Sequence, residues 1–118
     1  MGVVKLNRRE IMESTSEVKL TALSQKMETI AKNYFIARDL LIKRIELSDD
    51  NFLLMIVYIQ RVCACYERLD EKEKQFINNE FFYQNYPNWW KDKIAPSTYM
   101  RLKAKSIKHF LEVFYVSF

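Results

Sequence analysis

With 118 residues, about half of them apolar and 14% aromatic, the chain can bury a core as a single domain and lacks the polar, low-aromatic make-up of a disordered segment. Glycine occurs once, at Gly2, and proline twice, at Pro87 and Pro96, so the turn chemistry of a hairpin-rich sheet is missing and an all-α fold is expected. The formal net charge of +4 is local: residues 1–84 hold 13 Lys and Arg against 13 Asp and Glu, whereas residues 85–118 hold 6 against 2.

A basic excess confined to one region is the footprint expected of a surface that meets phosphates, although a solvated helix face can look similar. The longest apolar run, residues 52–59, has eight residues and is followed by Gln60 and Arg61, well short of the roughly 18 needed to span a membrane. Asn7, Arg8, Arg9 and Glu10 leave no apolar centre for a secretion signal. These features predict a soluble cytoplasmic protein with no membrane partner. Cys63 and Cys65 form a C-x-C without a second pair, and the single histidine, His109, lies far along the chain. A structural zinc site needs four ligands, so no metal or other cofactor is expected, and the two thiols are expected to be small, reduced and buried.

In chain order, residues 1–14 carry scattered apolar residues without a period and are expected to form a partly ordered arm. A long helix is predicted from Thr15 or Ser16. Its apolar positions Leu20, Leu23, Met27, Ile30, Tyr34, Ala37 and Leu41 are separated alternately by three and four residues, a heptad seam. The seam suits either one side of an internal helical hairpin, which the short chain and the apolar helix that follows favour, or a homodimer contact. Residues 48–51 (SDDN) supply a turn with several caps. The next helix, FLLMIVYIQRVCACYERL, is apolar nearly all round at its start and is expected in the centre of the bundle, completing a hairpin over 15–68. Asp70 with Glu73 forms a capping arrangement for a helix from Glu71 to about Tyr83, with Phe76, Ile77 and the Phe81/Phe82/Tyr83 cluster on its core side.

Residues 84–87 then break the chain. Asn88 is expected to cap a short helix to Ile94, which ends at Ala95 because the residue before a proline is pushed out of the helical region. A longer helix should begin immediately, with Ser97 or Thr98 as its cap, completing a helix-turn-helix. At 100° per residue, Tyr99, Leu102, Ile107, Phe110, Val113 and Phe114 fall on one arc and Ser97, Thr98, Arg101, Lys105, Lys108 and Glu112 on the other. Lys103 breaks this separation by pointing into the apolar arc. Trp89 and Trp90 cannot both face inward from one short helix, so one is expected at the surface. His109 has no carboxylate or serine partner at a telling spacing, no glycine-rich loop is present, and an enzyme is not expected.

The run 69–77 (LDEKEKQFI), then Glu80-Phe81-Phe82, then 97–107 (STYMRLKAKSI) resembles the sigma-factor region 4-type helix-turn-helix of small phage and mobile-element transcriptional regulators, the RinA, ArpU and LtrC type. The resemblance covers about fifty residues, 69–118. It implies an all-α protein with a C-terminal DNA-binding unit that activates transcription, its recognition helix carrying over to Ser97, Thr98, Arg101 and Lys105. Segment 83–95 departs from the pattern, with two tryptophans and a proline where many such units have a small residue at a tight turn. The expectation is therefore sequence-specific binding of double-stranded DNA, with Arg101, Ser97 and Thr98 at bases and Lys93, Lys105 and Lys108 on phosphates. The rival expectation is a non-enzymatic interaction module that meets RNA polymerase, another regulator or itself through the seam of residues 20–41 or the aromatic tail 110–118.

Overall fold

The seam turns inward. In helix α1 (Arg8–Ile42), Met27, Ile30 and Ala37 are buried and Leu20, Leu23, Tyr34 and Leu41 half-buried along the same line. The structure, a computed structural model, describes residues 8–43, 48–83 and 88–116, with side chains from 20 to 115. The helix starts at Arg8 rather than Thr15, so half of the expected N-terminal arm is its first turns. Met27 and Ile30 belong to the core cluster, with Leu20, Leu23 and Tyr34 packed against it, so this part of the seam serves the interior of the chain. Burial of each large apolar side chain there contributes roughly 1.5–3 kcal/mol.

Helix α2 (Asp49–Glu67) is capped as its sequence suggests: the Ser48 hydroxyl accepts the amide of Asn51 at 3.2 Å, and Asp49 and Asp50 sit in the first turn, where a negative charge suits the helix dipole. Its place in the bundle differs from expectation. Only Val62 and Cys65 are buried, whereas Phe52, Leu53, Leu54 and Val57 are 46–67% exposed. Leu54 shares the inward arc with Tyr58, Val62 and Cys65 at helical spacing, and none of the described residues covers it. The helix is peripheral, and its first two turns run beyond the core. Cys63, expected to be buried, is exposed; Cys65 is buried.

Asp70 caps helix α3 (Glu71–Ile77) in a reciprocal capping box: the Glu73 amide donates to Asp70 Oδ1 at 2.8 Å, and the Asp70 amide to Glu73 Oε1 at 2.9 Å. The helix then widens into a π-helical segment, Asn78–Phe82, which ends as the Tyr83 amide donates to the Asn78 carbonyl at 2.6 Å. The wider turn resets the register, burying Phe81 and leaving Phe82 half-buried and Tyr83 exposed. Residues 88–94 form successive turns rather than the expected short helix; the Lys93 and Ile94 amides both donate to the Trp90 carbonyl, at 2.9 and 3.0 Å. Helix α4 (Pro96–Val116) closes the fold. One core cluster unites Met27 and Ile30 of α1, Val62 and Cys65 of α2, Phe76 and Ile77 of α3, and Ile107 and Phe110 of α4. No strand occurs among the described residues, and no helix there is long and apolar enough to cross a membrane.

Candidate nucleic-acid interface on helix α4

Proline explains how α4 begins. Pro96 lacks an amide hydrogen and its fixed φ suits the first helical position. The Tyr99 amide donates to the Ala95 carbonyl at 2.9 Å, so Ala95 is the flanking residue, and Ser97 and Thr98 lie inside the first turn rather than capping it. Their two amides are the ones this first turn leaves over.

Contacts at its start, middle and end fix the helix. At its start, Glu80 of the π-helical segment accepts the Trp89 indole N–H at 3.2 Å and the Tyr99 hydroxyl, and lies 3.7 Å from Lys103 Nζ. Lys103 therefore points inward as its wheel position requires, with a carboxylate to meet it and its ammonium 5.7 Å from the Tyr99 ring centroid. Trp89 packs edge-on against Phe76, and Trp90 stacks on Tyr99 with centroids 4.3 Å apart. Both indoles are half-buried, because a run of turns lets adjacent residues reach the same ring where a helix would set them apart. Burial first, then the Glu80 carboxylate, push the Tyr99 phenol well above its ordinary 10.0.

In the middle, His109 Nδ1 lies 3.0 Å from Oε1 of Glu73. Glu73 is buried and already completes the capping box, so His109 has a carboxylate partner thirty-six residues away that local spacing could not reveal. Lys105 pairs with Asp70 at 3.3 Å. The backbone amide of Glu73, and after it the Lys105 ammonium, hold the Asp70 carboxyl below its usual value. At the end, the Arg61 guanidinium donates through Nε (3.0 Å) and Nη2 to the Phe114 carbonyl and lies over the Phe114 ring at 4.1 Å. That carbonyl is among the last four of the helix, which lack an intrahelical donor.

These anchors present one arc outward. Ser97, Arg101, Lys105, Lys108 and Glu112 are all exposed at spacings of four, four, three and four, so they share one face. From Ser97 to Lys108 the face runs about 16 Å at 1.5 Å per residue. Arg101 and Lys108 form no ion pair among the described residues, and Lys93 is exposed in the preceding turns beside Lys91 and Asp92. Thr98 is half-buried, at the edge of the arc. Lys105 stands on the face but is already shared with Asp70 across two exposed side chains, an interaction that solvent screening keeps weak. Sequence reasoning missed Lys91, the Asp70–Lys105 pair and the Glu80 hub; a lone carboxylate inside the aromatic run NNEFFY was the only available signal for the hub. Comparison with protein-family models, with curated proteins and with solved structures finds no match to this chain.

Proposed function

We propose that this chain binds double-stranded DNA through the outward arc of α4 and serves in transcription control in the cytoplasm, as its resemblance to the RinA, ArpU and LtrC regulators implies. The observation that carries the reading is the placement of Arg101 and Lys108: exposed, without a partner among the described residues, and aligned on a helix anchored along its opposite side. An α-helix fits the roughly 12 Å major groove. A rigid arc loses little freedom when it docks, so more of its contact energy is kept as affinity. Arg101 can fork onto a guanine edge or a phosphate, Lys108 and Lys93 are placed for phosphates, and Ser97 offers the accessible hydroxyl, with Thr98 beside it. Lys105 joins by giving up its weak pair with Asp70. Residues 88–94 form turns, so the docking unit is the α4 face flanked by Lys91 and Lys93, not two helices meeting at a three-residue turn.

Anisotropy of a labelled duplex at low salt tests this. Arg101→Ala/Lys108→Ala should lose at least about tenfold in affinity, while Lys32→Ala/Lys43→Ala, which removes the same charge from α1 and the turn after it, should lose far less. Equal losses, or no binding by the native chain, would remove the reading. The second reading is a non-enzymatic interaction module that meets RNA polymerase, another regulator or a second copy. Met27, Ile30 and Ala37 of the seam and Phe110 and Phe114 of the tail are buried, whereas Tyr115 is exposed; what most favours this reading is the apolar outer side of α2.

A further inference from the structure

Between Asp50 and Glu67, α2 carries one charged residue, Arg61, and that guanidinium is folded onto the end of α4. The rest of its outer surface is uncharged for four turns. Leu53, Val57, Gln60 and Ala64, spaced by four, three and four residues, are all exposed, and Phe52 flanks the stripe at 46% exposure. The period is that of a helix-packing seam, yet no element of the described chain covers it. A solvated helix face normally carries charge at such positions, and α1 does so at Lys32 and Asp39.

We propose that this face is the contact between two copies of the chain, α2 packing against α2 of the second copy about a two-fold axis. A two-fold contact brings each residue type against the same surface, which like charges would oppose and an uncharged stripe permits. Gln60, the polar member, carries both a donor and an acceptor on its amide and can bond to its own copy. Ala64 lets the backbones approach. A membrane surface is a poorer occupant, because an interfacial helix needs a basic rim along its polar side and α2 has none. The exposed apolar area of the stripe with Phe52 is on the order of 400 Å² per copy. Two copies therefore bury about 800 Å², the range of weak, transient contacts, and the dimer should be concentration-dependent rather than permanent. The inference does not depend on DNA binding, and its test does not measure it.

Sedimentation equilibrium from about 1 to 300 μM should give a mass rising from 14.3 kDa towards twice that value for the native chain. Leu53→Glu/Val57→Glu should remain monomeric across the range with unchanged helical circular dichroism, since both side chains are already exposed in the single chain. Met100→Glu, which charges an exposed apolar site on α4, should dimerise as the native chain does. Should the double glutamate variant lose helicity, Leu53→Ala/Val57→Ala removes the same area without charge and should weaken association at least tenfold. A native chain that is monomeric at 300 μM, an assembly that survives both double substitutions, or one that Met100→Glu abolishes equally overturns the proposal.

Discussion

Replacing Glu80 with alanine should loosen the first half of α4, the half that presents Arg101. The Glu80 side chain is 13% exposed and meets the Trp89 indole, the Tyr99 hydroxyl and the Lys103 ammonium. Hydrogen bonds to a charged acceptor contribute about 1.5–3 kcal/mol each, and a half-buried donor left without one bears part of that as a desolvation penalty. The Lys103 contact, at 3.7 Å, adds at most about 1 kcal/mol. Allowing water to reach the half-buried donors after truncation, the net loss is about 3 kcal/mol. At roughly 4 °C per kcal/mol for a domain of this size, Tm should fall by about 12 °C. Denaturant unfolding gives the free energy, and tryptophan emission should shift to the red as Trp89 loses its partner. Glu80→Gln, which keeps an acceptor and loses the charge, should fall between the two. A loss below about 0.5 kcal/mol with unchanged emission would refute the hub.

Ser106 is fully buried with its hydroxyl unpartnered, so Ser106→Ala should stabilise by about 1 kcal/mol through removal of a desolvated group and better helix propensity; destabilisation in urea would mean that the hydroxyl has a partner. Phe110→Ala opens the centre of the core and should cost about 3–5 kcal/mol, read in the same unfolding assay, and a loss under about 1 kcal/mol would place the core elsewhere. The Tyr99 phenol is held protonated above its ordinary 10.0 by burial and Glu80. The unfolded chain then releases that proton first, so stability should fall as pH rises past about 10, and Tyr99→Phe should lack this share of the slope. Cys63 is exposed, whereas Cys65 is buried with its thiol pushed up by burial; one thiol should react quickly with a chromogenic disulfide at pH 8 and the other only on unfolding, and equal rates would contradict the packing of α2.

Much of the architecture was written in local pattern. The alternating seam of α1, the Ser48 and Asp70 caps and the long helix directly after Ala95 depend on neighbours within a few residues, and each is present. Two errors were local, the start of α1 at Arg8 rather than Thr15 and the opening of α4 at Pro96 with Ser97 and Thr98 inside its first turn; the others came where a residue's environment is set from afar. Phe52–Val57 read as a central helix because apolar character all round normally means burial, but a sequence does not show how far the other helices reach. The turn at 88–94 read as a helix because Trp89, Trp90 and Tyr99 were not known to converge on one ring cluster. His109, Lys103 and Lys105 find their carboxylates on α3, on the π-helical segment and at the Asp70 cap, 23 to 36 residues away, beyond any motif. The outward arc of α4 was legible because helical periodicity alone decides it; Ser97, Arg101, Lys105 and Lys108 stand on it, while the pairing of Lys105 needed the fold.

The salt dependence of duplex binding tests the central claim most directly. With Arg101, Lys105, Lys108 and Lys93 at phosphates, log K against log salt should fall with a slope of about −3 to −4, and Arg101→Ala/Lys108→Ala should flatten it by about two units. A native chain with a slope near zero, or a double variant whose slope is unchanged, would contradict the assignment of the α4 arc to DNA.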